Sequence, residues 1–376
     1  MARIAVLGAG LVGSVIARDL ATGHEVTAVD LSEEALARLR DEGVATQRLD
    51  LRDRAVLHDF AKGFDVVVCA VPSRFGYATL ETLIDAGCRI ADIAFTPENV
   101  LALHERARAR GATLLTDIGV APGISNLLLG HHDAHMRVRS FLCHVGGNPR
   151  DPQPPFRYRA TFAPSDVIEE YTRPARIKRD GAIIERPALA EREMVRFEGF
   201  GEFEAFLTDG LRSILETMAH VPDLVEKTLR WPGHVDIVHA MREAGFFSRE
   251  RITLANGEVI PLELAVALLG EEWRLREGEQ DMLLMRVIVE GEQDGGPLRH
   301  EWTLSDVFDA EHGFTAMSRT TGFTCAAAAN LLAEGYWHEK GVFPAEIVGR
   351  NDVAFAYIFK YLDVRGVRFA HREEAA

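Results

Sequence analysis

The sequence has little cysteine and little positive charge. Because a chain of 376 residues needs no disulfides to stabilise its core, and because none of its cysteines has CxxC spacing, we predict reduced thiols at Cys69, Cys88, Cys143 and Cys325. The 42 basic residues are outnumbered by 57 acidic ones, for a formal charge of -15. Binding to a nucleic-acid backbone requires a positive surface, so this balance argues against nucleic acid and favours a small-molecule ligand.

Long apolar segments are also missing. No run approaches the roughly 20 apolar residues that a membrane span requires. The first residues, MARIAVLGAG, begin a strand at once and have neither the charged nor the long apolar region of a secretion signal. We therefore expect a cytoplasmic protein that does not enter a membrane.

The chain length and the change in sequence pattern along the chain predict an α/β protein of two domains. Short apolar runs alternate with amphipathic helical patterns over residues 1–125, which predicts a Rossmann-type, doubly wound parallel sheet. Residues 126–310 have longer alternating runs and predict an α+β substrate and dimerisation domain, with strands at FRYRATFAP, LLMRVIVEG and LRHEWTLSD and helices at FEAFLTDGLRSILETM and IPLELAVALLG. We expect residues 311–376 to pack back on the first domain, with HREEAA as a disordered end. A homodimer or homotetramer is expected.

A glycine motif follows the first predicted strand. GAGLVG places Gly8, Gly10 and Gly13 where a dinucleotide fold needs a tight turn, room for a pyrophosphate and close packing of helix on strand; Leu11 and Val12 lie in the same loop. The next strand ends at Asp30, twenty residues after Gly10, where a carboxylate accepts hydrogen bonds from the adenosine ribose. Asp30 would repel a 2′-phosphate, and the adjoining LSEEAL contains no arginine, so we predict NAD as the cofactor.

Three further turns follow predicted strands, at the edge where an open α/β sheet binds its ligand. The turn after the third strand is expected beside the adenine, and those after the fourth and sixth beside the ribose and nicotinamide. The residues predicted in these turns are Asp50, Leu51, Ala70, Val71, Pro72, Ser73, Gly119, Pro122 and Gly123.

Several longer blocks carry a family resemblance. VLGAGLVG, DIGVAPGISNLLLG, VGGNPRDPQPPFRY, DVIEEYTRPARIKRDG, KTLRWPGH, MSRTTGFT and GVFPAE occur in that order, and over nearly the whole chain the sequence resembles the NAD-dependent lysine 6-dehydrogenases of the saccharopine dehydrogenase-like superfamily. The superfamily's saccharopine-forming reductases carry a tyrosine and an aspartate where this chain has Phe95 and Ala121. The resemblance therefore implies oxidative deamination of L-lysine at its ε-carbon rather than saccharopine chemistry.

An amino-acid substrate has a carboxylate, which a guanidinium holds by two parallel hydrogen bonds. Arg230, beside Trp231 and a Pro-Gly turn, is the first candidate. The second is Arg319 with the hydroxyls of its neighbours, and the third is Arg173. The predicted substrate-binding residues are Arg230, Arg319, Thr320, Thr321, Arg173 and Tyr171. Tyr171 is predicted together with Glu169 and Glu170, which would supply the counter-charge for the α-ammonium group of the substrate.

The base that activates water has three candidates. His234 lies four residues after Arg230 and has an ordinary pKa near neutrality, although a histidine that only packs is an open alternative. Asp92 and Asp117 each end a predicted strand at the ligand-binding edge. Nothing in the spacing chooses among the three.

The segment HHDAH places His131 and His135 four residues apart on a predicted helix, a spacing that suits two metal ligands. No HExxH glutamate accompanies them, so we predict no metal. A serine hydrolase is also excluded, because no GxSxG turn is present. Two alternatives to the lysine 6-dehydrogenase reaction remain. One is a saccharopine-type or other ω-amino acid dehydrogenase, and the other is a non-catalytic NAD(H)-binding sensor.

Overall fold

The computed structural model of the chain describes residues 1–255 and 257–375. Its strands, in chain order, are β1 (Arg3–Leu7), β2 (Glu25–Asp30), β3 (Ala45–Arg48), β4 (Val66–Cys69), β5 (Arg89–Asp92), β6 (Thr113–Thr116), β7 (Arg137–Pro149), β8 (Ala175–Arg179), β9 (Ala182–Arg186), β10 (Glu193–Phe197), β11 (Gly201–Leu207), β12 (Asp223–Arg230), β13 (Ile252–Leu254), β14 (Gly257–Val259), β15 (Asp281–Gln293), β16 (Gly296–Val307), β17 (Gly341–Pro344) and β18 (Phe369–Ala375).

The α-helices are α1 (Leu11–Leu20), α2 (Glu33–Asp41), α3 (Arg54–Ala61), α4 (Ser73–Asp85), α5 (His104–Arg110), α6 (Ile124–His135), α7 (Pro164–Thr172), α8 (Ile214–Thr217), α9 (His234–Glu243), α10 (Pro261–Glu272), α11 (Ala316–Ala333), α12 (Ala345–Gly349) and α13 (Asp352–Val364); a 3-10 turn covers Val100–Leu103. Among these helices, none is long and apolar enough to cross a membrane.

The chain forms two compact units, and neither is continuous in sequence. The first comprises Met1–Met136 and Ser318–Arg368, and the second comprises Arg137–Met317 and Phe369–Ala376. The first break therefore falls at the start of β7. Most of the C-terminal segment belongs to the first unit, but its last strand belongs to the second.

The first unit is a Rossmann-type α/β fold, as predicted. Its sheet has the order β17-β6-β5-β4-β1-β2-β3, and each neighbouring pair is parallel. The central strands are buried, which suits the β-branched run Val66, Val67 and Val68 of β4. The start of α2 follows from local chemistry, because the Ser32 hydroxyl accepts from Ala35 N at 3.3 Å and caps the helix.

The second unit is built on a larger mixed sheet. Its main path runs β10-β11-β12-β7-β15-β16-β18, with β8 and β9 attached to β12. The longest pairing is the antiparallel ladder of β15 with β16, which lies where the alternating runs LLMRVIVEG and LRHEWTLSD predicted strands. A buried cluster that includes Tyr158, Tyr171, Phe206 and Trp273 packs the helices of this unit together.

Two local predictions for the second unit were wrong. FRYRATFAP is not a strand: Arg157 has a φ of 53°, and Ala160 N bonds to Trp273 O at 2.7 Å instead of to a strand ladder. The helix predicted for FEAFLTDGLRSILETM is instead β11 followed by the short α8. Phe203, Ala205 and Leu207 face the core at the spacing of a strand, and β11 pairs with β12.

The predicted disordered tail is also corrected. Residues 369–375 form β18, which pairs antiparallel with β16 from Leu298 to Leu304. The polar composition of HREEAA is that of an exposed edge strand, which composition alone does not distinguish from disorder. Residue 376 lies outside the described residues.

Candidate functional site

The turn from β1 into α1 requires glycine at two positions for internal reasons. Gly8 has a φ of +101°, and a Cβ there would lie 2.4 Å from Ala70 O. A Cβ on Gly13 would lie 2.0 Å from Gly8 O. Both distances are far below van der Waals contact, so the turn and the helix can approach this closely only without side chains.

Gly10 is different, because a Cβ built on it meets no described atom within 4 Å. Gly10 is the N-cap of α1 and has no side chain to cap the helix. Gly10 and Leu11 are exposed, and Val12 is half-buried. The first amides of α1 therefore open onto free space at the positive end of the helix dipole. Such an arrangement fits a pyrophosphate.

Asp30, at the end of β2, lies beside this turn. Its carboxylate accepts from Ala9 N at 2.7 Å and from Ser32 N at 2.8 Å, so it joins the glycine turn to the start of α2. In the pairing of β2 with β3, Arg48 lies opposite Asp30. Its Nε donates to Leu31 O at 3.1 Å. Arg48 is 18 positions after Asp30 in sequence, so the residues next to Asp30 do not reveal it.

The other predicted nucleotide turns all follow strands at the same edge of the sheet. After β3, Asp50 forms an exposed ion pair with Arg52, whose hydrogen bond lowers the pKa of Asp50 to about 2, and Leu51 packs on the core. After β4, Ala70 is half-buried, Val71 joins the core, Pro72 is the N-cap of α4 and Ser73 opens that helix.

The turn after β6 is closely packed. Gly123 has a φ of +145°, and a Cβ there would lie 1.9 Å from Gly119 O, across Pro122. A Cβ on Gly119 would lie 3.2 Å from Cγ2 of Thr321, so α11 packs against this turn. Next to Thr321, Thr320 is fully buried, and Arg319 donates from Nη2 to Arg365 O at 2.5 Å.

Two of the predicted acids end neighbouring strands. Asp92 is fully buried; its carboxylate accepts from Ala94 N at 3.0 Å and from the Thr116 hydroxyl at 2.8 Å. Burial, with a further contribution from the charge of Asp117, raises the pKa of Asp92 to about 7. Asp117 is also buried and has a φ of 56°, in the left-handed region.

The second unit brings together Arg230, Tyr171 and His234. Arg230 ends β12 and is 2% exposed, while Tyr171 in α7 and His234 at the start of α9 are fully buried. Arg230 Nε donates to the Tyr171 hydroxyl at 2.9 Å, and that hydroxyl lies 3.0 Å from His234 Nε2. The opposite ring nitrogen, Nδ1, lies 2.8 Å from Phe156 O.

The donor and the acceptor of each hydrogen bond in this network can be assigned. A carbonyl oxygen only accepts, so His234 Nδ1 carries the proton and donates to Phe156 O. Nε2 then accepts from the Tyr171 hydroxyl, which in turn accepts from Arg230. Burial first, and the charge of Arg230 second, lower the pKa of His234 to about 3, so the ring is neutral. Both ring nitrogens are therefore engaged, Nδ1 by Phe156 O and Nε2 by the Tyr171 hydroxyl.

Arg230 is also paired with an acid. Its Nη2 donates to Glu170 Oε2 at 2.6 Å and its Nη1 to Leu229 O at 3.0 Å, while the guanidinium lies over the Tyr158 ring at 4.6 Å. Burial raises the pKa of Glu170, and the charge of Arg230 opposes that rise. These contacts use three of the five N–H groups of the guanidinium, which leaves one on each terminal nitrogen for a ligand.

Unpartnered polar atoms surround this pair. The Tyr158 hydroxyl and Asn148 Oδ1 are buried and, among the described residues, have no hydrogen-bond partner. Asn148 Nδ2 donates to Leu229 O, the same carbonyl that Arg230 uses. Buried groups of this kind are normally satisfied, so their presence beside Arg230 indicates a site for a polar ligand. Arg173 lies outside it, in a half-exposed ion pair with Glu169.

Both halves of the chain match models of a single family. A model described as the saccharopine dehydrogenase NADP binding domain matches residues 4–115, and one described as the saccharopine dehydrogenase C-terminal domain matches residues 119–367. The chain belongs to the saccharopine dehydrogenase family. It is therefore an oxidoreductase of that family, and its first unit contains a pyridine-nucleotide-binding domain.

Individual relatives are distant but cover most of the chain. The saccharopine dehydrogenase (NADP(+), L-glutamate-forming) of Schizosaccharomyces pombe is 23% identical over 78% of this chain and 82% of its own length. The carboxyaminopropylagmatine dehydrogenase of Synechocystis is 23% identical over 92% of both chains. The apo saccharopine dehydrogenase (L-Glu forming) of Saccharomyces cerevisiae has the same fold, with a TM-score of 0.80, 18% identity and complete coverage of both chains.

Proposed function

We propose that this family member oxidatively deaminates L-lysine at its ε-carbon. L-Lysine, NAD⁺ and water would give 2-aminoadipate 6-semialdehyde, ammonium, NADH and a proton. A bound nicotinamide would supply the hydride acceptor for Cε, and attack of water on the substrate iminium would release the ε-nitrogen as ammonium. The protein's task is to hold the amino-acid end of the substrate, orient Cε and assist the attack of water.

The observation that carries the proposal is the pairing of buried Arg230 with half-buried Glu170. A free amino acid presents a carboxylate and an ammonium group on one carbon, and this pair offers the two complementary charges 2.6 Å apart. In the proposal the carboxylate binds the remaining N–H groups of Arg230, and the ammonium approaches Glu170. Asn148 Oδ1, an acceptor without a partner among the described residues, supports the same orientation.

In this proposal His234 orients other groups and does not take the proton from water. Its Nε2 already accepts from Tyr171, and its low pKa makes it a weak base. Tyr171 in turn accepts from Arg230 Nε and so helps to orient the guanidinium. The base is then Asp92 or Asp117, of which Asp92 has a pKa of about 7 and so changes charge near neutral pH.

We propose NAD as the cofactor because the Asp30 carboxylate, fixed by Ala9 N and Ser32 N, lies where a 2′-phosphate would bring further negative charge. The family model that matches this unit is described for NADP, and Arg48 adds a nearby positive charge. Steady-state kinetics with both nucleotides tests the choice. We expect a higher kcat/KM with NAD⁺, and a preference for NADP⁺ would contradict it.

The reaction itself is tested with purified protein, NAD⁺ and L-lysine. We expect NADH and ammonium in equal amounts at a rate that saturates with lysine. Failure to form either product at saturating lysine contradicts the proposal. Ornithine, saccharopine and short diamines complete the panel and measure the selectivity for lysine.

A substitution at Arg230 tests its proposed role in binding the substrate carboxylate. Arg230→Lys keeps the charge beside Glu170 but loses the planar fork, and we expect KM for lysine to rise about 10- to 100-fold because a charge-assisted pair is weakened. Arg173→Lys, in the half-exposed pair with Glu169, is the matched control and should leave KM unchanged. NADH binding and the unfolding midpoint of Arg230→Lys show whether the variant is folded. An unchanged KM in a folded variant would remove Arg230 from the substrate site.

The names of the curated relatives favour a second candidate. Those of S. pombe and Synechocystis are named for saccharopine and carboxyaminopropylagmatine, so a saccharopine-type dehydrogenase is the alternative. Turnover of saccharopine without turnover of lysine would establish it. A third reading, a nucleotide-binding sensor, predicts tight NADH binding and no turnover of any amine in the panel.

A further inference from the structure

A cluster of three potential metal ligands lies in the first unit, on helices that are distant in sequence. His131 and His135 are one turn apart on α6, and Asp352 lies in the first turn of α13. Asp352 Oδ1 is 3.5 Å from His131 Nδ1 and 3.2 Å from His135 Nε2. The three ligand atoms all lie within 4.8 Å of one another.

These separations suit a tetrahedral zinc ion. Zinc bonds to imidazole nitrogen and carboxylate oxygen are about 2.0 to 2.2 Å long, and at tetrahedral angles the ligand atoms lie about 3.3 to 3.6 Å apart. The two measured nitrogen–oxygen distances are close to this spacing. A metal ion would therefore need only small side-chain movements to bind all three groups.

The hydrogen bond of His135 prepares one ligand atom. Its Nδ1 lies 2.7 Å from the backbone oxygen of His131, and because a carbonyl only accepts, Nδ1 carries the proton. Nε2 is then the ring nitrogen that can coordinate a metal ion, and it faces the Asp352 carboxylate at 3.2 Å. A carbonyl partner on the far nitrogen is the usual outer support of a metal-binding histidine.

The other two ligands are also held in place. The His131 ring stacks on Phe355, with 3.9 Å between centroids and 5° between planes. Asn351 accepts from Val353 N and Ala354 N and caps α13, which positions Asp352 in the first turn. The side chains of His135 and Asp352 are 43% and 66% exposed, so an ion can reach them from solvent.

We propose that His131, His135 and Asp352 bind one zinc ion, with water completing the coordination. The ion would join α6 to α13 and so link the two sequence segments that make up the nucleotide-binding unit. Its role is structural, and the site is independent of the proposed lysine chemistry. The prediction of no metal rested on the absence of an HExxH glutamate, and Asp352 of the C-terminal segment is a possible third ligand that the sequence near HHDAH does not contain.

The test uses the full-length protein after removal of metal with a chelator. Titration with Zn²⁺ alone, followed by calorimetry, should give about one equivalent per chain. Co²⁺ should give the visible absorbance of a tetrahedral complex. Because zinc binds the folded state, a saturating concentration should raise the unfolding midpoint by on the order of 5 °C.

The variants His131→Ala, His135→Ala and Asp352→Asn should each weaken Zn²⁺ binding by at least about tenfold and abolish the midpoint shift. His312→Ala is the matched control, because His312 forms an ordinary exposed pair with Asp309 at 2.9 Å and should leave binding unchanged. Unfolding midpoints in chelator show whether each variant is folded. Absence of stoichiometric binding by the parent protein, or unchanged affinity in all three variants, would overturn the proposal.

Discussion

At Arg230, burial changes what a side chain can do. An exposed arginine would exchange partners with water, but Arg230 is 2% exposed and its guanidinium orientation is set by Tyr171, Glu170 and Leu229. A guanidinium held in this way does not have to be ordered when a ligand binds, which lowers the entropic cost of recognition. The same burial makes His234 a neutral orienting group.

Asp92 gives a prediction at the same scale. Burial raises its pKa to about 7 from an ordinary value of 3.8, so the folded chain keeps a proton that the unfolded chain releases between these pH values. The stability linked to Asp92 is therefore full below about pH 4 and declines as the pH rises to about 7. Asp92→Asn removes this decline, and its Nδ2 can donate to the Thr116 hydroxyl.

We therefore expect Asp92→Asn to be more stable relative to the parent at pH 8 than at pH 5, by up to a few kcal/mol. Denaturant unfolding of both proteins at the two pH values measures the difference. Asp85→Asn is the control: a hydrogen bond from Arg106 lowers the pKa of Asp85, so its loss should cost the same stability at both pH values. An equal shift at pH 5 and pH 8 for Asp92→Asn would contradict the prediction.

At the scale of the elements, β18 pairs with β16 in the sheet of the second unit. It covers the edge of β16, and its His371 stacks on Trp302 with ring centroids 4.0 Å apart. Removing the strand would expose a row of backbone N–H and C=O groups and one face of Trp302. Exposed edges of this kind pair with other chains.

A chain ending at Arg368 should therefore have a lower unfolding midpoint and should associate on standing. Thermal unfolding and size-exclusion chromatography measure these two effects. A chain ending at Glu374 keeps nearly all of β18 and is the matched control. Equal midpoints and equal elution of the two truncated chains would mean that β18 contributes little to the sheet.

At the scale of the whole molecule, the second unit exposes several large apolar side chains. Its α10 exposes Leu264 and Leu268, which are 48% and 63% accessible, and the β13–β14 hairpin exposes Ile252 and Leu254. Neighbouring large apolar side chains on a folded surface are typical of contacts between subunits. We propose that the protein is a homodimer or homotetramer and that α10 contributes to the contact.

Light scattering gives the mass in solution, and we expect twice or four times that of one chain. Leu268→Glu should lower the mass by placing a charge in the contact. Val364→Glu is the control, since Val364 is 73% exposed on α13 of the first unit. A monomeric parent protein would contradict the proposed assembly.

The nucleotide-binding half could be predicted from sequence because its information is local. Alternating strands and helices, the Gly8–Gly13 motif and the Ser32 cap each depend on residues within a few turns of one another. The second unit was predicted less well. In FRYRATFAP the alternation of apolar and polar residues comes from a loop in which Tyr158 and Ala160 are buried. In HREEAA the residues are polar because they form an exposed edge strand. Neither pattern differs locally from the structure that was predicted.

The sequence by itself determined the glycine turn, the position of Asp30 at the end of β2 and the choice of Arg230 as a candidate clamp, because each follows from residue type and short-range spacing. Only the tertiary structure decided what surrounds Arg230 and His234. Tyr171 and Arg230 are 59 positions apart, and Asp352 meets His135 across α6 and α13. Contacts between distant segments depend on how elements pack, and packing is a property of the folded chain.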